Sequence, residues 1–117
     1  MQVARTSEAM KLAEDEMIEE IEELGLIRTI EYIRHENMPI KMYQGASITA
    51  VTTVKLFMVP EDMSRRECIE SCVPVSIGEA FCSDKDQFSR LKGRLTATAR
   101  ALKRFRGKLN ENECICT

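Results

Sequence analysis

The run from Ala46 to Val59 narrows the fold more than any other feature. Ala46, Ile48, Ala50, Thr52, Val54, Leu56 and Met58 fall on one side of a pleat, and Ser47, Thr49, Val51, Thr53, Lys55, Phe57 and Val59 on the other. That period of two, in residues that favour extended backbone, defines a strand, and Pro60 ends it. Leu26 to Arg34, rich in Ile, Thr and Tyr, reads as an earlier strand. His35-Glu36-Asn37 looks like its connection, and Pro39 forbids a central ladder position just afterwards. Glu61 to Ser71 holds a short helical turn around Arg65 to Ile69. Cys72 to Phe81 is a third or fourth strand, where Pro74 points to an edge or a bulge.

Helical periodicity brackets these strands. Ser7 is the expected N-cap of a helix from Glu8 to Leu24. Ala9, Ala13, Met17, Ile21 and Leu24 form its apolar stripe, glutamates cover the remainder, and Gly25 suits the closing left-handed position. Asp84 or Asp86 is the expected cap of a second long helix reaching Lys108. Its stripe is Phe88, Leu91, Leu95, Ala99, Leu102, Phe105 and Leu109. The expected fold is therefore α+β: an N-terminal helix, a three- to four-stranded antiparallel sheet and a long basic C-terminal helix, with the helices on one side. It forms a single domain over 1–117, divided into acidic helix 8–24, sheet 26–82, basic helix 85–108 and polar tail 110–117.

The length of 117 residues fits one domain. No stretch reaches the apolar length of a bilayer span, and no basic-then-apolar signal opens the chain. The five cysteines are accordingly expected as thiols in a reducing cytosol. Cys68-x3-Cys72 and Cys114-x-Cys116 offer four thiols. Their spacing matches no common zinc ribbon or finger and leaves Cys82 over, so buried small hydrophobes and tail thiols are expected, with no metal. His35, the one histidine, lies in a turn between Arg34 and Glu36. No nucleophile elbow, phosphate loop, zincin or dinucleotide motif occurs, so no catalytic residue and no cofactor are expected.

The net charge of −2 conceals a gradient. Residues 1–37 carry ten Asp/Glu against four Lys/Arg, whereas residues 84–117 carry nine Lys/Arg against four Asp/Glu. An anionic partner would go to the basic end. Arg90, Arg94, Arg104 and Lys108 recur at or near steps of four, flanked by Arg100 and Lys103. Arginine offers planar bidentate contacts to phosphate. Gly93, Ala97 and Ala101 form a narrow line between the cations, and Gly93 costs about 1 kcal/mol relative to alanine. Close packing of another element or approach of a ligand would explain it. The expected ligand-binding residues are Arg90, Gly93, Arg94, Arg100 and Arg104, with Phe81 or Phe88 as an apolar surface for a base. For Phe88, membership of the core stripe is the competing reading. For the cations it is plain solvation, or pairing with the acidic first helix.

The stretch GEAFCSDKDQFSRLKGR from Gly78 to Arg94, continuing through Arg100 to Lys103, resembles a pattern of small bacteriophage proteins. The pattern runs Cys-x-Pro-x-Asp-x-Phe-x-Arg-x-x-Gly-Arg, followed by Arg-Ala-Leu. Cys82, Asp86, Phe88, Arg90, Gly93, Arg94 and Arg100 match it, and Asp84 stands where proline is usual. About a quarter of the chain is covered. In size and layout the chain resembles the phage-encoded Thoeris anti-defence sponge family, which sequesters cyclic ADP-ribose signals without cleaving them. That resemblance implies an antiparallel sheet, a homodimer or larger homo-oligomer with a pocket at the subunit interface, arginines on the pyrophosphate, and action in the cytoplasm of an infected host. The alternative is a nucleic-acid-binding module, because helix, three strands and helix is the order of a double-stranded-RNA-binding domain. A third reading is charge mimicry by the acidic helix against a host protein.

Overall fold

The structure is a computed structural model describing residues 2–34, 41–43, 46–83 and 89–116, with side chains described for 8–34, 48–82 and 89–108. The elements are α1 (Gln2–Glu23), β1 (Leu26–Arg34), β2 (Lys41–Tyr43), β3 (Ala46–Met58), α2 (Arg65–Ser71), β4 (Ser76–Ser83) and α3 (Arg90–Cys116). The α+β class and the expected element order hold. His35, Asp84, Lys85, Asp86 and Phe88 lie outside the described residues.

β3 is the centre of an antiparallel sheet. Val54 faces Ile30 of β1 on one side and Gly78 of β4 on the other. Ile48 pairs with both Lys41 of β2 and Ser83 of β4, which places β2 on the same edge of β3 as β1. The sheet is thus three strands wide. The even-numbered face of β3 carries the core: Ile48, Ala50, Thr52, Val54 and Leu56 are buried, against Ile21, Leu26, Ala97, Ala101, Leu102 and Phe105.

Several boundaries differ from the sequence expectation. α1 begins at Gln2, so Ser7 lies inside the helix and not at its N-cap position. No glycine or proline interrupts Gln2 to Glu23, and a mid-helix serine is only mildly unfavourable. Gly25 does take the left-handed conformation, at φ 73°. α3 is capped by Ser89, whose Oγ accepts from the Lys92 amide at 3.2 Å. α3 also continues to Cys116, through most of the segment expected as a polar tail. β4 starts at Ser76, two residues beyond Pro74, and forms the outer strand opposite β1.

The buried stripe of α3 is rotated from the expected one. Ala99 is exposed, while Ala97, Thr98, Ala101, Leu102 and Phe105 are buried. The line Gly93-Ala97-Ala101, expected as a groove between cations, is the seam on which α3 rests against the sheet. A Cβ at Gly93 would collide with Thr52 Oγ1, and one at Gly78 with the backbone of Ala97 and Ala101. Packing on the sheet accounts for the helical glycine.

Candidate phosphate-binding cleft at the start of α3

The cations of α3 divide into three groups by what they touch. The first is internal. Arg94 donates from Nε and Nη2 to the two carboxylate oxygens of Glu14, at 2.8 and 3.1 Å, and from Nη1 to the Tyr32 hydroxyl at 3.4 Å. Arg28 of β1 donates Nη1 to Glu14 at 3.1 Å and to Thr98 Oγ1 at 3.1 Å. Side-chain exposures of 10%, 15% and 28% for Glu14, Arg28 and Arg94 make this a largely desolvated trio bridging α1, β1 and α3. Further along, Arg106 pairs with Glu20. Arg90 lies over the Tyr32 ring, 5.2 Å from its centroid, a cation–π contact. Arg94, expected to reach outward for phosphate, is therefore spent on the acidic helix.

Glu14 escaped the sequence reading although its signal was present. It falls on the stripe of Met10, Met17 and Ile21, and Arg28 alternates with Leu26 and Ile30 on the inward face of β1. The Arg94 hydrogen bond holds the Glu14 carboxyl below the usual carboxylate range, against the opposing effect of burial and with further help from Arg28. A depressed folded-state pKa contributes stability that is complete above the unfolded value, about 4.3. That stability disappears as pH falls through the lowered folded value. Urea midpoints should therefore drop on acidification below about pH 4, and Glu14→Gln should flatten that part of the profile.

The second group guards the sheet margin. Arg100 Nη1 donates to the Glu79 carbonyl at 2.7 Å, Arg104 Nη1 to Ile77 at 2.6 Å and Lys108 Nζ to Val75 at 2.8 Å. Three cations at steps of four on α3 meet alternate carbonyls along the outer strand. Charged groups over an outer strand oppose its pairing with another chain. Arg104→Glu should cost only about 1 kcal/mol but should raise self-association during refolding, measurable by light scattering. Unchanged scattering would reject the guarding role.

The third group lines a cleft. Between the start of α3 and the adjoining β3 and β4 lies a cavity of about 180 Å³, bounded by Ala50, Thr52, Cys82, Lys92, Thr96 and Arg100, with Ser89, Gly93, Ala80 and Phe81 completing the wall. Among the described residues, two cations and three hydroxyls line it and no carboxylate does. Among the described residues, no hydrogen-bond or ion-pair partner occupies the exposed Lys92 ammonium. Arg100 keeps guanidinium nitrogens beyond the one given to Glu79. Thus Phe81, Gly93 and Arg100 of the expected site come together, while Arg90, Arg94 and Arg104 do not join them. Strand alternation puts the Phe81 ring on the sheet face opposite Ala80 and Cys82, paired with Val51. Lys92, Ser89 and Thr96 were missed, although the steps from Ser89 to Lys92, Thr96 and Arg100 keep them on one helical face.

Among the described residues no group of three or more His, Cys, Asp or Glu is placed to hold a metal ion, and no helix is long and apolar enough to cross a membrane. No protein family, curated protein or solved structure matches the chain.

Proposed function

We propose that this chain is a non-catalytic binding protein that sequesters a small phosphate-bearing ligand of the cyclic-nucleotide class. The supporting observation is the cleft in which Lys92 and Arg100 face a cavity edged by the hydroxyls of Thr52, Ser89 and Thr96. Phosphate oxygens accept charge-assisted hydrogen bonds from such groups, and none of the described lining residues is a carboxylate that would repel them. At about 180 Å³ the cavity is smaller than the roughly 300 Å³ at which ligand sites usually begin. It holds a phosphate and part of its sugar, and the remainder of the ligand extends outward. The C-terminal resemblance makes cyclic ADP-ribose isomers the first ligands to try and self-association part of the proposal. Sedimentation of the free and ligand-bound protein measures the latter.

One observation favours duplex RNA as the competing ligand. α1 and α3 both lie against one face of an antiparallel β1–β3–β4 sheet, in the order of double-stranded-RNA-binding domains. The exposed acids of α1, among them Glu8, Asp15, Glu16, Glu19 and Glu23, oppose contact of that helix with a phosphate backbone.

A thermal-shift panel of cyclic ADP-ribose isomers, cyclic dinucleotides and short duplex RNA, each at two salt concentrations, separates the readings. A cyclic nucleotide at a hundredfold excess over its dissociation constant adds about 2.7 kcal/mol of stability. That shift should survive moderate salt, whereas duplex binding through several phosphates falls by orders of magnitude. A salt-sensitive shift with duplex RNA alone would replace the proposal with its competitor.

A further inference from the structure

α2 and the turn before it carry three sulfur atoms that the cleft does not use. Cys72 Sγ lies 3.5 Å from Met63 Sδ. Cys68, fully buried on α2, is in side-chain contact with Cys72 and donates its Sγ–H to the Met58 carbonyl at 3.5 Å. Cys72 is the C-cap of α2, and its amide donates to the Cys68 carbonyl, which keeps the two residues together at the end of the helix. Met63 belongs to the turn closed by the hydrogen bond from its amide to the Pro60 carbonyl. Met63 and Cys72 are half-buried, which leaves a route in from solvent.

We propose that Met63, Cys68 and Cys72 form a binding site for a soft monovalent metal ion, copper(I). Two thiols and a thioether are a soft donor set, the kind that selects copper(I) over harder cations. Three sulfurs around one ion, each bonded at about 2.3 Å, stand about 4 Å apart. The Met63–Cys72 separation thus needs to open by only about half an ångström. Zinc fits poorly, because it takes four ligands from thiolate, imidazole and carboxylate, and no suitable cluster with a third such group exists among the described residues. On binding, the Cys68 and Cys72 thiols each release one proton to solvent, and the two thiolates and neutral thioether donate electron pairs to the ion. No oxidation state changes. The Cys68 proton leaves the Met58 carbonyl, and burial, which holds this thiol above its usual pKa, is offset by the charge of the bound cation.

The test is anaerobic titration with copper(I) against a chromogenic chelator, in a full-length chain carrying Cys82→Ser, Cys114→Ser and Cys116→Ser so that only the proposed thiols remain. One copper(I) per chain should be retained, with sulfur-to-copper charge-transfer absorption in the ultraviolet and three sulfur neighbours by X-ray absorption. Cys72→Ser should lower affinity at least a hundredfold with circular dichroism unchanged, and Met63→Leu about tenfold. Failure of the triple variant to compete with the chelator would overturn the proposal. So would equal binding by Cys72→Ser, or tighter binding of zinc than of copper(I).

Discussion

Gly78→Ala should unfold this protein more readily than any other single methyl group added to it. Gly78 sits in β4, paired with Val54 of the central strand, directly beneath α3. A Cβ there meets the Ala97 carbonyl oxygen and the Ala101 amide nitrogen, backbone atoms that no side-chain rotation can move aside. Replacing a strand glycine by alanine would ordinarily contribute about 0.5–1 kcal/mol in its favour. Here α3 must lift away from a seam in which Ala97 and Ala101 are fully buried. Overpacking at that scale costs about 3 kcal/mol or more, and the melting temperature should fall by about 10 °C or more. Gly107 supplies the contrast. It is a helical glycine whose added Cβ would touch nothing within 4 Å. Gly107→Ala should stabilise by about 1 kcal/mol, because only helix propensity is at stake. Thermal unfolding of the two variants reads the opposite signs directly, and a neutral Gly78→Ala would refute the tight seam.

Glu14→Ala should be nearly as damaging for a different reason. The substitution removes one carboxylate and leaves two largely buried guanidinium groups, Arg28 and Arg94, facing each other without a counter-charge. Removing one partner from a buried ion pair typically costs about 3–5 kcal/mol, mostly from the stranded charge. By comparison, Arg66 and Glu70 on α2 are 89% and 64% exposed, and separating them should cost about 0.5 kcal/mol at most. Arg28→Met and Arg94→Met combined with Glu14→Leu should recover part of the loss, since apolar replacement of a whole buried charge cluster is often tolerated. Denaturant midpoints at neutral pH provide the comparison. A Glu14→Ala midpoint as high as that of the Arg66→Ala variant would remove the trio from the account.

Element types were legible because the two periodicities are unmixed: the alternation from Ala46 to Met58 and the helical stripes admit little else. The inward face of α3 was harder to read. Ala99 and Leu102 both satisfy a three-and-four spacing, but the small residues at 93, 97 and 101 decide the rotation, since only they fit against Thr52 and Gly78. Cation periodicity alone does not tell Arg94, which pairs with Glu14, from Arg104, which meets the Ile77 carbonyl, or from Arg100 at the cleft. A guanidinium four residues from another reads the same whether it meets a ligand, a buried carboxylate or a strand carbonyl. Glu14 distinguishes these cases, being the acid that lies on an apolar stripe. Lys92 became a candidate only when the fold brought it beside Thr96 and Arg100 at the cleft.

The central claim is that Lys92 and Arg100 form a phosphate-binding cleft, separate from the cations that hold the fold together. Isothermal titration of cyclic ADP-ribose isomers into the wild type and Lys92→Ala tests it most directly. The Lys92 side chain is exposed and has no hydrogen-bond or ion-pair partner among the described residues, so its removal should leave the unliganded melting temperature within about 1 °C while weakening ligand binding at least tenfold, the loss of one charge-assisted hydrogen bond. Wild-type protein that binds none of these ligands, or a Lys92→Ala variant that binds them as tightly as the wild type, would contradict it.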